Sequence, residues 1–284
     1  ALMSKRHEPN SIKIEESVKL ALEEDIGIGD ITGELIDPLQ TQSAILFCRE
    51  ESILCGSKWF EASFKIIDPN ANIFWNKEEG ALIESDTEVA TIEGNSKCMV
   101  ASERTGLNFL QMMSGIAYKT YCYQKELKGS KTKLLDTRKT LPGLRYEQKY
   151  SVVIGGGQNH RMGLYDAALV KENHIASSGS IKKAVETLRN NEVKIIEVEV
   201  ENLNELQEAI DSGADIAMLD NFKQTDLVTA AEIAVNKIKL EVSGNINSDH
   251  LSFIKELDID YISSGDLTKN ISATDYSLIF KPID

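Results

Sequence analysis

Hydrophobic and polar positions alternate regularly along the chain after about residue 130. Six short apolar runs, each long enough for one strand, recur at residues 133–137, 167–172, 194–200, 216–221, 239–244 and 261–265. The segments between most of these runs carry apolar residues at helical spacing. Repeated strand and helix units predict a parallel sheet covered by helices, and six strands fit an α/β barrel better than a sandwich. A doubly wound open sheet is the alternative, because spacing does not reveal strand order.

Cap residues mark where several of the predicted helices begin. Asn202 and Glu205 have the spacing of a capping box, and Gly213 is a stop signal for the same helix. Three further helices are predicted to open at Ser180, Thr225 and Ser248.

The first hundred residues have a different pattern. Ile14, Val18 and Leu22 fall on one face of a predicted helix, and glycine-separated strand-like runs follow it. This pattern predicts a smaller N-terminal α+β domain with an antiparallel sheet. A long helix over residues 102–118 is predicted to join it to the barrel.

Composition excludes several classes of function. The 284 residues are 42% hydrophobic and 27% charged with a net charge of −14, which is typical of a globular protein and disfavours nucleic-acid or anionic-membrane binding. No apolar run approaches the roughly 18 residues of a membrane span, and no signal peptide is visible, so we expect a cytoplasmic protein. The four cysteines lack metal-site spacing and are expected to be reduced thiols.

Residues 136–174 carry a small excess of positive charge against this acidic background. Arg138 and Lys139 follow one predicted strand, Lys171 ends the next, and the loop between them contains His160 and Arg161. The carboxyl ends of barrel strands meet at one edge, so these cations should converge there and require an anion. A phosphate or polycarboxylate ligand is therefore predicted, since the arginine fork matches both groups.

Ordinary structural roles remain open for several of these residues. Arg145 and Lys149 lie four apart around Glu147, as expected for a solvated helix face. For His160, a structural role and a role in the site are equally well supported, whereas His174 is expected to be structural.

Acidic and small residues end the later strands. Glu199 and Asp220 close successive strands, where two carboxylates opposite a basic cluster could hold hydrated Mg²⁺ and sugar hydroxyls. Their alternative is an ordinary ion pair with Lys171 or Arg161. Backbone N–H groups at small residues suit a terminal phosphate, and such residues end the last two strands: Ser243, Gly244, Asn245, Ser264, Gly265 and Asp266. Together these features predict an enzyme whose ligand has a phosphate at one end and a carboxylate-rich group at the other.

Seven segments of the chain resemble one known family, the quinolinate phosphoribosyltransferases, also called carboxylating nicotinate-nucleotide pyrophosphorylases. The segments are EDIGIGDIT, ERTGLNFLQMMSGIA, LLDTRKTLPGLR, KYSVVIGGGQNHRMGLYDAALVKENHI, EVEVENLNEL, MLDNF and EVSGNI. The resemblance runs from about residue 14 to 272. It implies an enzyme of NAD biosynthesis that joins quinolinate to phosphoribosyl pyrophosphate with Mg²⁺, without an organic cofactor, and releases pyrophosphate and CO₂.

The resemblance also implies an architecture. An N-terminal α/β sandwich would span residues 1–115, with the C-terminal tail 273–284 packing back on it. An incomplete α/β barrel would span residues 116–272 and carry the catalytic site. The implied assembly is a homodimer, or a hexamer of dimers, in which Arg104 completes the neighbour's site.

Roles follow from the resemblance motif by motif. The quinolinate carboxylates would be held by Arg104, Thr137, Arg138, Lys139, His160, Arg161 and Lys171. Lys139 and Lys171 would also meet phosphate and act in catalysis with Glu199 and Asp220, which would hold ribose and Mg²⁺, directly or through water. The ribose phosphate would lie on residues 243–245 and 264–266. Asp266 departs from the family pattern, because a carboxylate opposes phosphate unless its side chain points away or meets a cation.

Two other functions fit part of this pattern. The same scaffold could transfer phosphoribose to nicotinate or another monocarboxylate, or be a molybdenum-associated relative, but two carboxylates on the acceptor explain the full set of cations better. A barrel that only binds a phosphorylated metabolite is the second, because a fold does not prove chemistry. Glu199 and Asp220 argue against it, since anion binding alone has no use for carboxylates.

Overall fold

The computed structural model describes residues 9–244, 246 and 248–282, and these residues form two compact units. The barrel unit contains Cys122–Thr140 and Gly157–Lys269. The sheet unit contains residues 9–121, Leu141–Gly156 and the segment from Asn270 onward. The sheet unit is thus assembled from three separate stretches of chain.

The sheet unit is built around a four-stranded antiparallel sheet with the strand order β12-β1-β5-β3. Its strands are β1 (Thr41–Cys48), β3 (Asn72–Trp75), β5 (Thr87–Asn95) and β12 (Tyr276–Phe280). A two-stranded sheet pairs β2 (Ser52–Ile53) with β4 (Leu82–Ile83). The helices are α1 (Ser11–Ile26), a 3-10 turn (Thr32–Leu35), α2 (Ser57–Ile67), α3 (Ser96–Glu126), whose last residues belong to the barrel unit, and α4 (Arg145–Ile154).

Alternation of buried residues explains why β1 forms one layer of this unit. Ala44, Leu46 and Cys48 are fully buried at every second position, so one face of the strand meets the core. Phe60 and Phe64 of α2 pack on that core with ring centroids 4.8 Å apart. Sequence analysis did not predict α2, because its apolar residues continue directly from the strand-like run before it.

The C-terminal strand completes this first sheet. β12 pairs antiparallel with β1, from Ala44 opposite Phe280 to Cys48 opposite Tyr276. The Tyr276 hydroxyl lies 2.9 Å from Ser114 Oγ on α3. Gly115, the next residue of α3, has no room for a Cβ because the Ser272 carbonyl lies against it. Residues 272–280 are therefore structural in this unit.

The barrel unit contains all six strands predicted from the sequence. They are β6 (Lys133–Leu135), β7 (Ala168–Val170), β8 (Ile196–Val200), β9 (Ile216–Asp220), β10 (Lys239–Ser243) and β11 (Tyr261–Ser263). All pairs are parallel, in the order β6-β11-β10-β9-β8-β7. Each strand from β7 to β10 lies beside its successor and β6 lies beside β11, so the chain winds in one direction. This order confirms the incomplete barrel and excludes the doubly wound sheet.

Helices connect these strands, and their caps mostly follow the sequence. They are α5 (Glu172–Ser178), α6 (Ile181–Asn190), α7 (Leu203–Asp211), α8 (Gln224–Ala234), α9 (Ser248–Ile254) and α10 (Asp266–Lys269). The Asn202 side chain accepts from the Glu205 N–H at 3.0 Å, and Ser180 accepts from Lys183 at 3.1 Å. The predicted start of α8 at Thr225 is wrong, because its hydroxyl contacts the Asp226 carboxylate and the helix begins after Lys223.

The cysteines and the lengths of the apolar helices bear on two expectations from composition. All four cysteines are free thiols, as predicted: Cys48, Cys55, Cys98 and Cys122. Among the described residues, no helix has the length and apolar character needed to cross a bilayer.

Candidate active site

The carboxyl ends of the barrel strands bring the predicted site residues to one edge. In the strand register, Ser243 lies opposite both Asp220 and Ser263, and Ser263 lies opposite Leu135. Glu199 lies on the neighbouring strand β8, opposite Met218. The loops that follow these positions therefore share one rim.

Asp136, directly after β6, fixes the histidine-containing loop at this rim. Its side chain is fully buried. Its Oδ1 accepts the His160 backbone N–H at 2.8 Å, and its Oδ2 accepts the Asn159 side-chain amide. Gln158 also forms an isolated parallel bridge with Leu135. A carboxylate from one strand end thus holds the loop that carries His160 and Arg161.

Arg138 and Arg161 are close enough to influence each other electrostatically. Burial lowers the pKa of the Arg161 guanidinium, and the positive charge of Arg138 lowers it further, while Glu197 partly offsets both effects. Arg161 Nη1 donates to the Ala167 carbonyl at 3.2 Å. Two guanidinium groups that repel each other at a rim are stabilised by an anion between them.

Lys139 and Thr137 lie against the glycine of a late loop. The Thr137 hydroxyl oxygen accepts the Lys139 N–H at 3.0 Å, and the Thr268 hydroxyl donates to the Lys139 carbonyl at 2.8 Å. A Cβ at Gly265 would collide with the Lys139 side chain and touch Thr137 Oγ1. Lys139 itself is exposed at this rim.

Lys171 and Glu199 form an ion pair across β7 and β8. The Lys171 side chain is 44% exposed and the Glu199 side chain 16%. This is the alternative role that the sequence left open for Glu199, and it places a cation and a carboxylate together at the rim. The Lys171 N–H donates to His174 Nδ1 at 3.0 Å, so His174 caps α5 and has the structural role expected for it.

The turns after β9 and β10 depend on glycine and asparagine. Asn221 has a φ of 54°, donates through Nδ2 to Asp220 Oδ2 at 2.9 Å, and has its N–H bonded to the Ser243 carbonyl. Gly244 has a φ of 99° and no room for a Cβ beside the Asn221 side chain. Asn245, the third residue predicted to bind phosphate here, lies outside the described residues.

The Asp266 carboxylate has a partner inside the barrel unit. The Tyr123 hydroxyl donates to Asp266 Oδ2 at 2.9 Å. Burial, together with that hydrogen bond and the Asp266 charge, raises the pKa of Tyr123 to about 12. The Asp266 N–H donates to Ser264 Oγ at 3.3 Å. Tyr123 therefore engages the carboxylate that sequence analysis identified as unfavourable for a phosphate site.

His160 contacts two glutamates that sequence analysis missed. Its Nε2 lies 2.8 Å from Glu197 Oε2 and 3.5 Å from Glu241 Oε2, with side chains only 12%, 6% and 1% exposed. They line a cavity of about 50 Å³ with the buried Leu135, Ile216 and Tyr261. We call His160, Glu197 and Glu241 the interior triad. The available signal was a glutamate inside each of two parallel strands, where both faces are usually apolar: Glu197 in IEVEV and Glu241 in KLEVS.

Three other residues singled out from the sequence lie in the sheet unit. Lys149 is fully buried on α4, and Arg145 is half-buried, so the prediction of a solvated face is wrong for Lys149. The reason is that α4 faces the core, where Glu147 accepts the Trp59 indole N–H at 3.2 Å. Arg104 is exposed on α3.

Family models match almost the whole chain. The model for the quinolinate phosphoribosyl transferase C-terminal domain matches residues 116–279, and the model for the N-terminal domain matches residues 30–114. A Bacillus subtilis protein named probable nicotinate-nucleotide pyrophosphorylase (carboxylating) is 37% identical over 257 residues, which cover 90% of this chain and 89% of that protein. A Methanocaldococcus jannaschii protein with the same name is 38% identical over 273 residues, covering 92% and 95%.

Solved structures agree with these matches. The nicotinate-nucleotide pyrophosphorylase of Francisella tularensis is 42% identical, with a TM-score of 0.94 over 98% of this chain and 100% of that one. Human nicotinic acid phosphoribosyltransferase is 13% identical, with a TM-score of 0.58 over 99% of this chain and 74% of that one, which shows a shared fold alone.

Proposed function

The chain belongs to the quinolinate phosphoribosyltransferase family, and from that premise we propose how its barrel unit performs the reaction. The enzyme transfers the phosphoribosyl group of phosphoribosyl pyrophosphate to quinolinate with decarboxylation, giving nicotinate mononucleotide, pyrophosphate and CO₂ for NAD biosynthesis. The observation that carries the site assignment is that the strand ends and the loop held by Asp136 bring four cations to one rim: Arg138, Lys139, Arg161 and Lys171.

Quinolinate is a dianion, and the arginines are placed to bind it. A guanidinium group binds a carboxylate through two parallel hydrogen bonds, and each charge-assisted bond is worth about 1.5–3 kcal/mol. We assign the two carboxylates to Arg138 and Arg161, with Lys139 and Thr137 beside them. His160 contributes through its position in the loop, because both of its ring nitrogens already have protein partners.

The late loops suit the phosphate of the ribosyl donor. A Cβ at Gly265 would collide with Lys139, and a Cβ at Gly244 would collide with Asn221. Since neither position carries a side chain, the main chain itself is available to a ligand there. Because Asp266 is bonded to Tyr123, the hydroxyl of Ser264 and the main chain are what this loop offers to a phosphate. Backbone N–H groups in such turns donate hydrogen bonds well to phosphate oxygens.

Mg²⁺ is the proposed cofactor, and the donor set fits it. Glu199 and Asp220 supply oxygen ligands at a partly exposed rim, and Mg²⁺ is usually held by one or two carboxylates together with substrate phosphates and water. When bound, the ion neutralises charge on the pyrophosphate. Calorimetric titration of phosphoribosyl pyrophosphate, with and without Mg²⁺, into the wild type and Asp220→Asn tests this assignment independently of turnover.

Bond breaking at the sugar leaves positive charge on the anomeric carbon, which the acidic side chains can stabilise. Glu199 and Asp220 lie on neighbouring strands and favour that charge electrostatically. Lys171, now paired with Glu199, is placed to meet the departing pyrophosphate. The ring nitrogen of quinolinate forms the new bond to the sugar. Its positive charge then accepts the electron pair released when the adjacent carboxylate leaves as CO₂, and the ring carbon takes a proton from solvent.

Nicotinate remains the alternative acceptor, and binding without catalysis the alternative role. A monocarboxylate would engage one of the two guanidinium groups and would offset their mutual repulsion less than a dicarboxylate. Likeness to the human nicotinate enzyme extends to the fold alone. A barrel that only bound an anionic metabolite would not need the Lys171–Glu199 pair or the Asp220 carboxylate at this rim.

We also propose that the protein is a homo-oligomer and that it is located in the cytoplasm. A homodimer, or a hexamer of dimers, would let the exposed Arg104 of one subunit reach the site of the next. A cytoplasmic location is proposed from composition, and subcellular fractionation tests it.

Release of radiolabelled CO₂ from carboxyl-labelled quinolinate is the test of the function. We expect release by the purified protein with Mg²⁺ only when phosphoribosyl pyrophosphate is present. Turnover of nicotinate with none of quinolinate would support the alternative acceptor. Absence of release by a folded protein that binds both substrates would support the binding role.

A further inference from the structure

Burial of the ionisable side chains of the interior triad costs free energy of folding. Glu197 and Glu241 lie within parallel strands, at 6% and 1% side-chain exposure. Each has an Oε1 atom that is buried without a hydrogen-bond partner. Burying a carboxylate costs several kcal/mol before pairing, and an apolar side chain of similar size is often no less stable. Two such residues together indicate a role beyond packing.

His160 is fixed by bonds on three sides. Its own N–H donates to Asp136 Oδ1, its Nε2 faces Glu197 Oε2, and its Nδ1 accepts the Arg161 backbone N–H at 2.8 Å. A backbone amide always donates, so Nδ1 is unprotonated and the ring proton lies on Nε2, directed at Glu197.

The neutral ring is the form that satisfies all of these contacts. Burial lowers the pKa of His160, and the hydrogen bonds and charges of Glu197 and Glu241 together raise it to about 10. The resulting imidazolium, however, would direct an Nδ1–H at the Arg161 N–H. Loss of that bond would free the Arg161 main chain, so the geometry favours the neutral tautomer.

A metal ion is the other occupant that the triad could hold. The three ligand atoms lie within 4.8 Å of one another. An ion on Nε2 would require the ring proton to move to Nδ1, where the Arg161 N–H already donates. The hydrogen-bond pattern therefore disfavours a metal here.

We propose that Glu197 and Glu241 are positioning residues for acceptor binding: they orient His160, whose Nδ1 holds the Arg161 main chain so that its guanidinium is presented beside Arg138. Glu197 also raises the pKa of Arg161, which offsets part of the lowering caused by Arg138. The ligand served is an aromatic acid with two neighbouring carboxylates. This proposal rests on the proposed function, since it concerns how that acceptor is bound.

Kinetics of Glu197→Gln test the proposal. We expect the KM for quinolinate to rise about tenfold, because the glutamine amide can turn its N–H group toward Nε2 and no longer holds the ring in one orientation. This is less than the hundredfold that a displaced reacting group can cost. The KM for phosphoribosyl pyrophosphate and kcat should stay within about twofold. Asp260→Asn is the matched control, because Asp260 accepts the Leu240 N–H at 3.0 Å near the amino ends of the strands and affects stability alone.

A double-mutant cycle separates positioning from a merely structural role. In a His160→Ala background, Glu197→Gln should change the KM for quinolinate by less than about twofold, because Glu197 acts through the imidazole. Equal effects in both backgrounds would overturn the proposal, as would a stoichiometric metal ion found in the wild type and lost in Glu197→Gln.

Folding and function are kept apart in this test. Thermal unfolding identifies variants that do not fold. If Glu197→Gln does not fold, Glu241→Gln takes its place, because Glu241 Oε2 lies farther from His160 Nε2 and the substitution should disturb folding less. Calorimetric titration of quinolinate measures positioning without turnover. A wild type without CO₂ release refutes the proposed function, whereas an active wild type with unchanged binding in folded Glu197→Gln and Glu241→Gln refutes the positioning role alone.

Discussion

Replacing Arg138 by alanine removes one of the two guanidinium groups at the rim. We expect kcat/KM for quinolinate to fall by about two orders of magnitude, because a charged hydrogen-bonding partner of the dianion is lost. Thermal unfolding should be nearly unchanged. Lys182→Ala, which removes a cation with a 69% exposed side chain, is the control. Near-normal turnover by Arg138→Ala would remove Arg138 from the acceptor site.

Tyr123→Phe tests whether the Asp266 carboxylate is held away from phosphate. Without the hydroxyl, the carboxylate loses one hydrogen-bond donor that directs it away from the phosphate loop, and we expect the KM for phosphoribosyl pyrophosphate to rise about tenfold. In the wild type the folded pKa of Tyr123 is raised to about 12, so the bond is lost only as pH rises through that value. Donor affinity should therefore show no step from this pair between about pH 7 and 10. An unchanged KM in the variant would mean that Asp266 does not affect phosphate binding.

Residues at strand ends were the readable part of the site. Lys139, Lys171, Glu199 and Asp220 could be located because the carboxyl ends of parallel strands share one edge. The two glutamates of the interior triad were missed, because the strand register that brings Glu197 and Glu241 to one histidine is a property of the folded sheet.

At the scale of elements, the late loops depend on the size of single residues. Gly265→Ala places a methyl group against the Lys139 side chain and Thr137 Oγ1. We expect the KM for phosphoribosyl pyrophosphate to rise and kcat to fall, together about tenfold or more, because Lys139 must move. Steady-state kinetics with each substrate varied in turn measures both effects.

Gly213→Ala is the control for backbone effects. Gly213 has a φ of 75° with open space around it, so alanine there costs about 1 kcal/mol of stability without steric contact. A drop in unfolding temperature with normal kinetics is expected. If Gly265→Ala behaves in the same way, the late loop does not position Lys139.

Element types were more predictable than their boundaries. The six barrel strands follow from short apolar runs, and Asn202 and Ser180 cap helices as their side chains dictate. The start of α8 was missed because Thr225 bonds a neighbouring side chain. Strand order was unreadable because it depends on contacts between residues far apart in the chain.

At the scale of the whole molecule, mixing two inactive variants tests the shared site. If Arg104 serves the neighbouring subunit, a heterodimer of Arg104→Ala and Lys171→Ala has one site with both residues intact. Random exchange of subunits should restore about a quarter of wild-type activity, since half of the dimers carry one good site of two. Each variant alone is the control, and mixtures with no recovery after verified exchange would place Arg104 in its own subunit's site or outside any site.

The pairing of β12 with β1 has a consequence for how the protein is synthesised. The ribosome makes Ala44 long before Phe280, yet the two lie opposite each other in the sheet. Until β12 emerges, β1 is an edge strand, and exposed edges invite pairing with other chains. The segment Gly157–Lys269 of the barrel unit, by contrast, is continuous and precedes β12. We therefore expect nascent chains stalled before residue 276 to need chaperone protection, because the first sheet can close only after β12 has emerged.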